Sequence, residues 1–201
     1  MRLPPYAVRF GDAVLPKPIS GHPALELCNT YAGWADEPGH EWLTGYGKLA
    51  AWAEFTGLIG PAAPLDIQAH TERARRALAD VCVLRSALYR VLGDADANAF
   101  ADVATFADEA NALRRFTRDL DGAAGFRLPS TEDVRLPLLA AALAAVDLLD
   151  SKERTTVRAC PGDSCGWLFL DPRGRRVWCS MAACGNRAKV RAHAARQRVN
   201  K

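Results

Sequence analysis

Four of the six cysteines lie close together near the end of the chain: Cys160 and Cys165 enclose PGDS and, thirteen residues later, Cys179 and Cys184 enclose SMAA. Thiolates are ligands that zinc favours, and two close pairs brought together by a hairpin make a tetrahedral four-sulfur site. Pro161 and Gly162 suit a tight turn inside the first pair. Cys184 stands at a helix start, where unpaired amides and the helix dipole favour thiolate. Four protein thiolates close the coordination sphere, so the one Zn²⁺ ion they hold is structural and not a Lewis acid. Buried reduced thiols and disulfides are the alternatives, with His193 as a substitute fourth ligand. Cys28 and Cys82 stand alone in apolar helical stretches and read as core residues.

The positive charge gathers in the same place. Residues 151–201 carry 12 Lys and Arg against 3 acidic residues, a net +9, whereas residues 1–150 carry 14 basic and 20 acidic residues, a net −6. Such asymmetry marks nucleic-acid or membrane-surface contact. On a helix after Cys184, Arg187, Arg191, Arg198 and Lys201 share an arc of about 80° at 100° per residue. Ala188, Ala192, Ala195 and Val199 form an adjoining strip that can pack on the zinc module. Arg173, Arg175 and Arg176 add a basic turn with Trp178 just beyond. A basic helix beside a basic loop is the electrostatic footprint of phosphate binding, and nucleic acid is the partner it suggests, a merely solvated cationic tail being the alternative. Arg187 is the candidate base reader, and Asn186 has the groups to pair with adenine. Some of these cations serve instead to offset the −2 charge of a zinc tetrathiolate.

The elements that must position these groups follow from periodicity. The chain has 201 residues, 49% hydrophobic and 24% charged, which suits one globular domain, or one domain with a small module. Prolines at 4, 5, 16 and 18 mark an extended start with an edge strand around Ala7–Phe10. Helical spacing runs through 44–57, then through 72–92 with Ala74, Ala77, Leu78, Val81, Leu84 and Leu88 on one face. It returns in 97–116, with Phe100, Val103, Ala110 and Leu113. The run from Leu138 to Leu149 is apolar nearly all round and predicts a central bundle helix started near Ser130–Asp133. After Asp150 the texture turns to short strands: TTVRAC, then GWLFLD folded by PRG onto RRVWC, then a final helix.

The expected fold is therefore mainly α. A helical domain of about five helices covers 1–150, and a zinc-stabilised hairpin-and-helix module, treble-clef-like, covers 151–201. A module of that size needs a metal staple and is expected to have its own core. The longest apolar run, Leu138–Val146, is nine residues against the ~20 of a membrane span, so no membrane association is expected. MRLPPYAVRF has no signal-peptide core, which predicts a cytoplasmic protein. Trp34, Trp42 and Trp52 crowd one stretch with Tyr31, Tyr46, His22 and His40; either they line an effector pocket or they pack as core. No Ser-His-Asp order, His-x-x-x-His or phosphate-binding glycine loop is present, so no enzyme chemistry is expected.

CGWLFLD, WCSM and CGNRAKVRAH together resemble the CGNR zinc finger, the tetrad being Cys184-Gly185-Asn186-Arg187. The stretches GHPALELCNT (21–30), LAAWAEFTGLI (49–59) and VDLLDSKERTTVR (146–158) resemble the ABATE domain that precedes this finger in bacterial proteins. The resemblance implies a stress-induced transcriptional regulator that binds zinc and DNA. A zinc module used for protein–protein interaction or for redox sensing is the competing function.

Overall fold

A computed structural model of the chain describes residues 3–34, 38–62, 70–94, 96–118, 121–129 and 132–199. About half of the chain is helical, joined by small two-stranded sheets. Strands β1 (Ala7–Phe10) and β2 (Ala13–Pro16) form an antiparallel hairpin, so the expected edge strand is present with a partner. Helix α1 (Pro23–Cys28) follows, capped by His22 and begun by a proline at its first turn. A two-residue pairing of β3 (Tyr31–Ala32) with β4 (His40–Glu41) leads into α2 (Tyr46–Phe55). The long α3 (Glu72–Asp94) and α4 (Ala97–Leu113) complete one side of the bundle. Strands β5 (Arg115–Arg118) and β6 (Ala124–Arg127) then form an exposed hairpin before α5 (Leu136–Asp150).

Helix α5 buries residues on every side, including Leu138, Leu139, Ala141, Ala142, Ala145 and Leu148, and packs against α1, α2, α3 and α4. It is the centre of the bundle, as its all-round apolar sequence requires. It begins at Leu136, later than Ser130–Asp133 suggested; Asp133 accepts from the amide of Arg135, and Ser130 lies outside the described residues. Helix α3 buries the expected face, and its buried Arg85 is matched by Glu41 at 2.5 Å. Helix α4 departs from expectation. It buries Ala99, Val103, Ala107 and Ala110 and leaves Phe100 and Leu113 outside, because small residues let α3 and α5 approach closely.

Beyond α5 a 3₁₀ turn (Lys152–Thr156) delivers β7 (Val157–Ala159), which pairs antiparallel with β8 (Leu168–Leu170). The hairpin is therefore upstream of the expected one. GWLFLD pairs backwards with TTVRAC, and no strand forms over 175–179. There the backbone is spoken for otherwise. The Arg175 amide donates to Asp171 Oδ1, and the Arg176 side chain donates to the carbonyls of Trp178 and Cys179. A π turn (Met181–Gly185) introduces the last helix, α6 (Asn186–Val199).

The module after residue 150 does not keep its own core. Cys160, Cys165, Cys179 and Cys184 share one buried cluster with Trp167 and Phe169, and with Ala7 and Trp42 from upstream, flanked by Leu3, Tyr6 and Ile19. Leu168, on the other face of β8, belongs to the main bundle core. The strand is a wall common to both.

Candidate metal centre and nucleic-acid interface

The four cysteine sulfurs are placed by three local devices. The loop between β7 and β8 turns back at Cys160-PGDS-Cys165, with the Cys165 amide bonded to the Gly162 carbonyl and the Cys160 amide to Trp167. Cys179 closes the irregular segment held by Arg176, and Cys184 lies in the π turn that opens α6. All four Sγ atoms lie within 4.8 Å of one another and all four residues are buried. Cys179 Sγ is 3.6 Å from both Cys165 Sγ and Cys184 Sγ. A tetrahedral zinc with Zn–S of about 2.3 Å requires sulfurs about 3.8 Å apart, so the cluster fits the ion with little adjustment. No disulfide joins them.

Two glycines stand close to neighbouring sulfurs. A Cβ on Gly162 would stand 2.9 Å from Cys184 Sγ, and one on Gly185 would stand 2.6 Å from Met181 Sδ. Gly162 is thus a packing requirement of the sulfur cluster, whereas at Gly185, the glycine of CGNR, the exposed Met181 side chain can swing aside.

Electrostatics favour metal over thiol. Hydrogen bonds from Cys160, then Cys165 and Cys179, hold the Cys184 thiol well below its ordinary range, and Arg187 adds to the effect. Cys160 is lowered to about 7, chiefly through Cys165. Cys165 and Cys179 are both pushed up, Cys160 being the main cause in each, because thiolates crowded together resist ionising. A divalent cation removes that repulsion.

A family model described as "Putative stress-induced transcription regulator" (ABATE) matches residues 21–152, and the CGNR zinc finger model matches residues 156–197. The chain belongs to the ABATE family. Its C-terminal part is a CGNR zinc finger with one zinc site, at Cys160, Cys165, Cys179 and Cys184. None of the curated proteins matches the chain. Both matched families are of regulator or zinc-finger type. Among the described residues no helix is long and apolar enough to cross a membrane.

The loose apolar stretches of the ABATE domain acquire a purpose in the structure. Asn29, fully buried at the end of α1, donates to the Leu168 carbonyl at 2.9 Å and accepts from the Leu168 amide at 2.7 Å, extending the edge of β8. The Leu170 amide donates to Ser20. Gly33 donates to the Cys165 carbonyl at 2.8 Å, Trp167 Nε1 to Tyr31, and Tyr89 Oη to Gly166. Upstream and finger segments are tied by two backbone–backbone bonds and by the side chains of Asn29, Trp167 and Tyr89.

The expected basic residues divide into different roles. Arg187 Nη2 donates to Cys184 Sγ at 3.0 Å, so this guanidinium faces the sulfur cluster. Arg176 lies 4.3 Å over the Phe169 ring and donates to the Ile19 carbonyl at 2.8 Å, bracing the finger against the N-terminal segment. Arg191 pairs with Asp163 of the cysteine turn. Arg173 and Arg175 are exposed at the turn after β8, and Asn186 is exposed at the start of α6. Arg198 is exposed near the end of α6, while Lys201 lies outside the described residues. Ala192 and Ala195 are exposed, so the alanine strip does not pack on the module; only Ala188 is half-buried.

The three tryptophans go to three places and line no common pocket. Trp52 is in the bundle core, and Trp34 stacks on Tyr89 at 3.9 Å. Trp42 lines a cavity of about 120 Å³ beside the cysteines, with Tyr6, His40, Trp167 and Arg187. Sequence reasoning missed Asn29, Tyr6, Trp167 and the bracing role of Arg176. Only the polar Asn-Thr pair ending the apolar run LELC hinted at the first.

Proposed function

We propose that this ABATE–CGNR chain is a zinc-dependent, DNA-binding transcription regulator of the cytoplasm with no catalytic activity, in which a helical part (1–150) carries a treble-clef-like finger (151–201). The observation that carries the reading is α6. It holds five cations, Arg187, Lys189, Arg191, Arg196 and Arg198, and no carboxylate, and its side chains from Lys189 to Arg198 are all exposed. A helix exposed from Lys189 to Arg198 gains little from packing on its own fold; with this charge the partner that suits it is a polyanion. Helix α6 is anchored at its start by Cys184 and by the Arg191–Asp163 pair, and beyond Arg191 its side chains are exposed as far as Arg198. The finger meets the upstream part through β7, β8 and Arg176, and that leaves α6 open.

In this reading Lys189, Arg191, Arg196 and Arg198, with Lys201 beyond them, contact phosphates, and Arg173 and Arg175 add a second contact from the turn. Asn186 is nearest the position from which a recognition helix reads base edges. Arg191 must exchange Asp163 for a phosphate, an inexpensive exchange for an exposed pair. Arg187 acts through the metal. Fluorescence anisotropy of zinc-loaded protein against random-sequence duplex, with selection of bound sequences, tests the reading. Binding that weakens steeply with salt is expected. No binding at ~100 mM salt, where several phosphate contacts still matter, would leave the finger as a structural brace of the helical part.

A further inference from the structure

The β5–β6 hairpin stands apart from the finger and from the bundle core. A lone two-stranded hairpin is marginal in water, and this one is exposed along almost its whole length. Phe116 and Phe126 are directly opposed across the strands, their rings 5.3 Å apart, yet they remain 68% and 60% exposed. Strand alternation puts Arg114, Phe116 and Arg118 on the same face as Phe126, and the Arg114 guanidinium lies 5.5 Å over the Phe126 ring. On the other face Arg115 is directly opposite Arg127, a like-charge pairing that opposes the hairpin. Among the described residues none of Arg114, Arg115 and Arg118 meets a carboxylate; they donate to backbone carbonyls and to the Asn111 side chain.

We propose that the hairpin is a binding site for single-stranded nucleic acid. Bases stack on Phe116 and Phe126 while the flanking arginines take the phosphates. Exposed aromatic rings interleaved with cations are the two components that single-strand recognition requires. A stack of paired bases offers no free face to the rings, so an unpaired strand fits better than a duplex. Charge decides against the other occupant, a second copy of this chain: two such hairpins would bring arginine against arginine, whereas a phosphate backbone supplies the anion that Arg114, Arg115 and Arg118 lack.

The test uses the full zinc-loaded chain and a fluorescent twelve-nucleotide single strand of mixed sequence. Both phenylalanines are exposed, so Phe116→Ala and Phe126→Ala leave the core intact. Each should weaken single-strand binding about 5- to 100-fold and leave duplex binding by the finger unchanged. In Phe116→Trp the new fluorophore should be quenched by the strand and affinity kept. Arg191→Ala with Arg198→Ala separates this site from α6: it should reduce duplex binding and spare the single strand. Unchanged single-strand affinity in both Phe variants overturns the proposal. So does a loss of self-association in those variants, measured by sedimentation, without loss of oligonucleotide binding. If the α6 variants leave duplex binding intact while the Phe variants lose the strand, the DNA reading of the finger fails and the hairpin site stands.

Discussion

Arg187 offers the sharpest division between a metal-facing and a DNA-facing role. Arg187→Ala removes the donor 3.0 Å from Cys184 Sγ and leaves the four ligands in place. A hydrogen bond to a charged group contributes about 1.5–3 kcal/mol. The side chain is largely exposed, so water and salt recover part of that. A net loss of about 1–2 kcal/mol lowers zinc affinity about 5- to 30-fold, at 1.4 kcal/mol per tenfold. This agrees with the scale on which residues behind the ligands tune metal sites. Competition for zinc against a chromophoric chelator at pH 7.5 measures it directly. Arg187→Lys, which keeps the charge and loses the fork, should recover part of the affinity. A zinc affinity within twofold of the parent protein, combined with lost preference at one base pair, would refute the assignment. It would restore Arg187 as the base reader suggested by its place on the helix.

Protons should compete with zinc in a defined way. Cys165 and Cys179 are pushed up and so are protonated near neutrality, Cys184 is held down, and Cys160 titrates at about 7. Zinc therefore displaces protons from thiols that crowding keeps protonated near neutrality, so affinity falls with acid. The same chelator competition across pH should show zinc affinity falling as the pH drops below ~8, and an affinity independent of pH would count against protonated thiols at the site. Asn29→Ala strands the buried amide and carbonyl of Leu168, at about 1–3 kcal/mol for each. Denaturant unfolding should show a loss of about 2–4 kcal/mol together with weaker zinc retention; a loss under about 0.5 kcal/mol would show that β8 is held otherwise. Lys189→Ala and Arg198→Ala should each weaken binding to all duplex sequences alike and reduce the salt slope by about one.

What could be read from sequence was what is local. Each cysteine pair spans a single turn, so spacing alone reveals the zinc site, and α3 and α5 follow from their repeating apolar residues. The structure departs where side-chain character misleads. Phe100 outranks Ala99 as a core residue by hydrophobicity, yet close helix packing selects the alanine. RRVWC looks like a return strand, yet Asp171 and Arg176 occupy its backbone partners. Arg187 and Arg191 are alike on a helical projection, and only coordinates separate the one facing sulfur from the one facing Asp163. Asn29, Tyr6 and Trp42 reach the finger across more than a hundred residues of chain, a distance over which no periodicity carries information.

The wall formed by β8 bears on how portable the finger is. Phe169 has no exposed surface, and the cluster around it is completed by Ala7, Trp42 and the Arg176–Ile19 contact. A finger cut out at residue 151 and grafted onto a foreign chain would carry zinc ligands with one apolar flank stripped of cover. Loading with metal would not prevent such a graft from clumping. Recombination that moves the finger intact must therefore also move the strand, helix and aromatic residues between Leu3 and Trp42. The heritable unit is the pair, and a CGNR finger met beside an unrelated neighbour would need a substitute for those residues.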